Sequence, residues 1–155
     1  MRRIYLISIT LLLLLAGEGE ACAQLSKLHF KGFRITRIMP TSTRSVTGAM
    51  EIDMVNDSLA FTMSNISGTV YKNGQPFMRG DLSPIKVPHG AGKVVVDCHY
   101  AALAEGIGIM DVLKCLQFRP QDYTVDVSCT VIDEKGRRKN VAKKGVSAAK
   151  LMGKL

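Results

Sequence analysis

The chain has 155 residues, 46% of them hydrophobic and 22% charged. That apolar fraction excludes a wholly disordered chain, and the length leaves room for one domain. A formal net charge of +8 favours anionic partners without naming an activity.

The first 23 residues read as an address. Met1-Arg2-Arg3 is a positive head, Ile4 to Ala16 is a nearly unbroken apolar run, and Ala21-Cys22-Ala23 is a small-residue cleavage site. This order predicts a secretory signal peptide cut after Ala23, with the mature chain spanning 24–155 and exported to the periplasm or envelope. Lipidation at Cys22 is the alternative, but a lipobox places Leu three residues before its Cys, and Gly19 stands there. Residues 1–23 carry two arginines and two glutamates, so the +8 survives cleavage. No other run reaches the roughly 20 apolar residues of a membrane span.

Leu28 to Ile38 predicts a first strand, kinked at Gly32. Ser45 to Asn56 alternates, with Val46, Gly48, Met50, Ile52 and Met54 on one face, which is a half-buried strand. After the turn Asn56-Asp57-Ser58, the alternation restarts at Leu59, Phe61 and Met63 and is broken by Asn65. Thr69-Val70-Tyr71 leads into Asn73-Gly74, a type I′ hairpin signal, and Phe77-Met78 returns antiparallel. Pro84 and Pro88 bracket a short edge piece, Ile85 to Val87. His89 to Gly92 reads as a loop, and Lys93 to Tyr100 as a strand. Ala101 to Phe118 switches to helical period, with Ile109, Val112, Leu113 and Leu116 forming the stripe. Tyr123 to Val131 alternates again. A basic stretch then leads to a last strand near Val141 to Val146. About seven strands and one late helix predict an all-β antiparallel sandwich of the fibronectin III or immunoglobulin type.

Four segments together carry a resemblance: Val55 to Phe61, Ile66 to Gly74, Gly80-Asp81-Leu82, and Ile85-Lys86-Val87-Pro88. Their order resembles the late embryogenesis abundant type 2 family, the LEA14-like or WHy domain, from about Leu28 to Leu151. The chain departs at Asp57, where the family carries Pro; a type I turn accepts both. The resemblance implies a fibronectin III-like sandwich, a role in desiccation or stress protection, and no catalytic residues.

The candidate chemistry is sparse. His29, His89 and His99 have no metal-ligand spacing, and Cys98-His99 point to opposite faces of a strand, so no metal or cofactor is expected. Export permits disulfides, and strand parity puts Cys98 and Cys129 on core faces. They are a candidate disulfide if their strands are neighbours. Cys115 on the helix is a second candidate partner, and three buried thiols are the plainer reading. No nucleophile elbow or phosphate loop is present, so no catalytic residue is assigned. Arg79-Gly80-Asp81 spells an integrin-binding tripeptide by coincidence. Arg137, Arg138, Lys139, Lys143 and Lys144 form a candidate anion-binding surface for an anionic membrane or an envelope protein. The stretch lacks the interleaved aromatics of a nucleic-acid platform, and a solvated hairpin is its plainer reading.

Overall fold

The computed structural model describes Leu25 and residues 27–152; the expected leader and Cys22 lie outside the described residues. The chain runs β1 (Leu28–Ser42), β2 (Ser45–Asn56), β3 (Phe61–Lys72), β4 (Gln75–Leu82), β5 (Ile85–Val87) and β6 (Gly90–Ala102). Helix α1 (Ile109–Phe118) and a 3-10 turn (Pro120–Asp122) follow, then β7 (Tyr123–Asp133), β8 (Arg138–Ser147) and a short helix α2 (Ala148–Met152).

All eight strands belong to one antiparallel sheet, in the order β1-β2-β6-β4-β3-β7-β8, with β5 on β3. The sheet curls into a half-barrel. Its concave face holds the core, including Met50, Ile52, Met63, Ile66, Val96, Tyr100, Val127 and Val131. The convex face is polar, as expected of an antiparallel sheet with one wet side. β1 and β8 are its two open edges.

The strand predictions meet three physical refinements. β1 extends to Ser42, carried by three ladder irregularities, the first between Phe30 and Gly32. These let a long edge strand follow the curl. Asn65 does not end β3: it adopts φ +50°, and the ladder to β7 skips between Ser64 and Ser67. A bulge absorbs the break in alternation. Leu59, expected to restart the strand, is 70% exposed, and pairing begins at Phe61. The expected loop at His89–Gly92 is mostly strand, because Gly90, Ala91 and Gly92 pair with Asn56, Val55 and Met54.

Glycines explain the curl. On the concave face Tyr100 pairs with Gly80, and Gly80 pairs with Gly68. Both glycines are buried, so the concave face carries no side chain at these two positions beside Tyr100. At Gly48 a Cβ would lie 3.0 Å from the Arg37 carbonyl oxygen and 3.3 Å from Cys98 Sγ, so β1 closes on β2 only because that atom is missing. At the β3–β4 turn, Asn73 (φ +51°) and Gly74 (φ +79°) adopt the paired left-handed conformations of a type I′ turn.

The helix is shorter than its period implies. Ala101 and Ala102 are still in β6, and α1 starts at Ile109. Arg44, in the β1–β2 turn, holds the intervening loop. Its guanidinium donates to the carbonyls of Ala102 (3.0 Å), Ala104 (2.8 Å) and Ile107 (3.0 Å), and Ile109 N donates to Thr43 O (2.9 Å). Ile109 and Val112 are then buried against the core. Replacing Arg44 with Ala removes three charge-assisted hydrogen bonds and is expected to cost about 2–3 kcal/mol. Urea denaturation measures that loss, and amide exchange localises it to residues 102–109.

Candidate functional site

The basic segment is the outermost hairpin. β8 pairs only with β7, in a register that sets Lys139 opposite Val131, Val141 opposite Cys129, and Lys143 opposite Val127. Lys139 and Lys143 therefore lie on the concave side of the edge, and Arg138, opposite Ile132, lies on the convex side. Lys144 falls in an irregularity where Gly145 adopts φ +66° and donates its N–H to Asp126 Oδ1 (2.8 Å).

Arg137 stands apart from the other four. Its Nε is 2.7 Å from Asp133 Oδ2, and its backbone N–H and that of Lys135 donate to Asp133 Oδ1. The Arg137 N–H first, then the guanidinium and the Lys135 N–H, hold the Asp133 carboxyl below its ordinary range against the effect of burial. The expected five-residue surface thus comprises one cation committed to the turn and four spread along both faces of an edge. Long side chains on both faces can still splay past that edge into one plane. Cations and a bulge also blunt the edge against unwanted strand pairing.

The other candidates do not converge on chemistry. Cys98 on β6 and Cys129 on β7 are both buried, but β4 and β3 separate their strands in the sheet, so the neighbouring-strand condition for a bridge is not met. Cys98, Cys115 and Cys129 are thiols in the structure. Burial first, and then Cys115, push the Tyr123 phenol up; the Tyr123 ring packs on Phe77 with centroids 5.0 Å apart. His29 Nε2 meets Asp57 Oδ2 at 3.2 Å, and His89 Nδ1 donates to Ser58 O at 2.7 Å. His99 lies opposite Asp81 on the convex face. No group of three His, Cys, Asp or Glu side chains suited to a metal ion occurs among the described residues. Arg79 and Asp81 sit within β4, between β3 and β6, and pair with each other at 3.1 Å, unlike a tripeptide displayed on a loop. No helix among the described residues is long and apolar enough to cross a membrane.

Sequence reasoning missed Asn56. It is fully buried, and its amide donates to Leu59 O (3.2 Å) and Pro88 O (3.1 Å). Its Oδ1 accepts from Ser58 N (2.9 Å) and Ser58 Oγ (2.6 Å). An Asn before Asp-Ser signals an Asx turn, but the bond to Pro88, 32 positions on, has no local signal.

No family model and no curated protein matches the chain. Among solved structures it is similar to a protein from Archaeoglobus fulgidus, with a TM-score of 0.41 and 10% identity over 76% of this chain and 94% of that one. It is also similar to a FixG-related protein from Vibrio parahaemolyticus, with a TM-score of 0.29 and 8% identity over 78% and 96% of the two chains. A third likeness is to a β-glucuronidase from glycoside hydrolase family 2, with a TM-score of 0.34 and 12% identity; the match covers 77% of this chain but 13% of that enzyme. Likenesses this remote assign neither a family nor an activity to the chain.

Proposed function

We propose that the mature chain is an exported, non-catalytic binding domain of the cell envelope that meets an anionic membrane surface through the β7–β8 hairpin. The observation that carries this reading is the clustering of Arg138, Lys139 and Lys144 on an edge strand, with Arg137 committed to Asp133. Each basic residue brought close to anionic lipid adds about 1 kcal/mol, so three suffice for salt-sensitive attachment. The reading of residues 1–23 as a signal peptide supports the envelope location, and fractionation of cells expressing the full chain tests it.

The family reading stays with the late embryogenesis abundant type 2 resemblance, and so does a protective role under stress. The resembling segments supply β3, β4 and β5 in unbroken order. In the sandwich reading that goes with it, β1-β2-β6 and β5-β3-β7-β8 are two leaves sharing β4. The lack of a ladder between β5 and β6 among the described residues supports it, since β4 alone joins the two groups of strands.

Cosedimentation of the mature chain with vesicles of phosphatidylglycerol and phosphatidylcholine tests the membrane proposal. Binding is expected at low salt on phosphatidylglycerol vesicles and release is expected at high salt. Absence of binding at low salt overturns the proposal.

A further inference from the structure

We infer that the cleft where β5 and β6 part is a second binding site, for a small amphiphilic carboxylate. It borders the β7–β8 turn at Asp133 and Glu134 but uses none of the β8 cations, and it does not depend on membrane attachment.

The cleft follows from a local failure of pairing. β4 lies between β6 and β3, but after Ser83-Pro84 the chain pairs only with β3, as β5. The last link to β6 is at Asp97, whose carbonyl accepts from Ser83 N (2.8 Å) and whose N–H donates to Ser83 Oγ (2.9 Å). On the other side of β6, Ala102 N donates to Arg44 O. Backbone groups two residues apart point the same way along a strand. Lys93 and Val95 therefore aim their N–H groups, like Asp97, at the side where β5 forms no ladder.

The opening has a volume of about 410 Å³, within the range of small-molecule sites. Phe61, Val87, Pro88 and Val94 give it an apolar lining. Its walls are held in place: Asn56 ties Leu59 O to Pro88 O, and Pro88 Cγ would stand 3.0 Å from a Cβ at Gly92. A preformed apolar cleft of this kind requires little reorganisation on binding.

Charge sets the class of ligand. Lys86 and Lys93 stand on the β5–β6 side. Lys86 makes no ion pair among the described residues, and Lys93 reaches Glu51 only at 3.9 Å. The opposite rim carries Asp133 and Glu134, and Arg137 already neutralises Asp133. A ligand with one carboxylate and an alkyl body satisfies both features: its carboxylate meets the lysines and its body covers Pro88 and Val94, away from Glu134. A cationic amphiphile meets the two lysines with the wrong sign.

The probe is decanoate, titrated below its micelle concentration into the mature chain and followed by amide and methyl NMR shifts. Saturable shifts are expected at Lys86, Lys93 and Val94, with hexanoate weaker and decylammonium weaker still. Lys86→Glu, at an exposed position, is expected to weaken decanoate binding by about tenfold while leaving the melting temperature unchanged. Shifts confined to β8, no saturable shifts, equal binding of decylammonium, or an unaltered affinity in Lys86→Glu would each overturn the inference.

Discussion

Replacing Asn56 with Ala is expected to destabilise the fold by about 2–3 kcal/mol, a large part of the stability of a domain this size. The side chain is fully buried, and four hydrogen bonds join β2, the turn after it and the end of β5. Alanine removes the donor to the Pro88 carbonyl and one of the two donors to Leu59 O, which keeps Ser58 Oγ. The orphaned carbonyl costs about 1–3 kcal/mol, and the Asx turn at Ser58 is lost as well. Asn56→Asp separates the two roles. It keeps the acceptor for Ser58 but turns an oxygen toward two carbonyls, so it is expected to be no better than Ala at neutral pH. Urea denaturation of both variants measures this, and a loss below about 1 kcal/mol in both would show that Asn56 does not clamp these loops.

Tyr100→Ala is the second large effect, at about 3–5 kcal/mol, because it deletes a fully buried ring at a position paired with Gly80. Tyr100→Phe is expected to do the opposite and leave stability equal or improved. The ring is fully buried, and its hydroxyl meets the Cys98 thiol, a weak hydrogen-bond partner, so the phenylalanine keeps the packing and removes a poorly compensated polar group. The same burial, with the Cys98 thiol beside it, holds the phenol well above its ordinary value of 10.0. The unfolded chain then loses this proton first as pH rises past that value. The native state keeps its advantage below that pH and loses it progressively above. Denaturation midpoints between neutral pH and pH 11 are therefore expected to fall less steeply in Tyr100→Phe than in the wild type.

Some of this architecture was plain in the residues. The alternation from Ser45 to Asn56 matches β2 end to end, and Asn73-Gly74 forms its turn with both residues at positive φ. Those signals are local, one fixed by period two and the other by a conformation that few residues adopt. The joining of the strands into one sheet was not legible, because it depends on β4 pairing with both β6 and β3. Nor were the partners of Arg44, which lie 58 to 63 positions away. The basic stretch was visible as charge, but its use was not. Only the register of β8 on β7 separates Lys139 and Lys143 from Arg138, and only the turn geometry commits Arg137 to Asp133.

The central claim is that the basic edge strand attaches the domain to an anionic membrane. Its most direct test is the triple variant Arg138→Glu, Lys139→Glu, Lys144→Glu, with all three positions exposed and none in the core. Its affinity for phosphatidylglycerol vesicles at low salt is compared with that of the wild type. Loss of at least about a hundredfold, with the melting temperature retained, is the predicted result. Binding of the folded variant at wild-type strength would contradict the account.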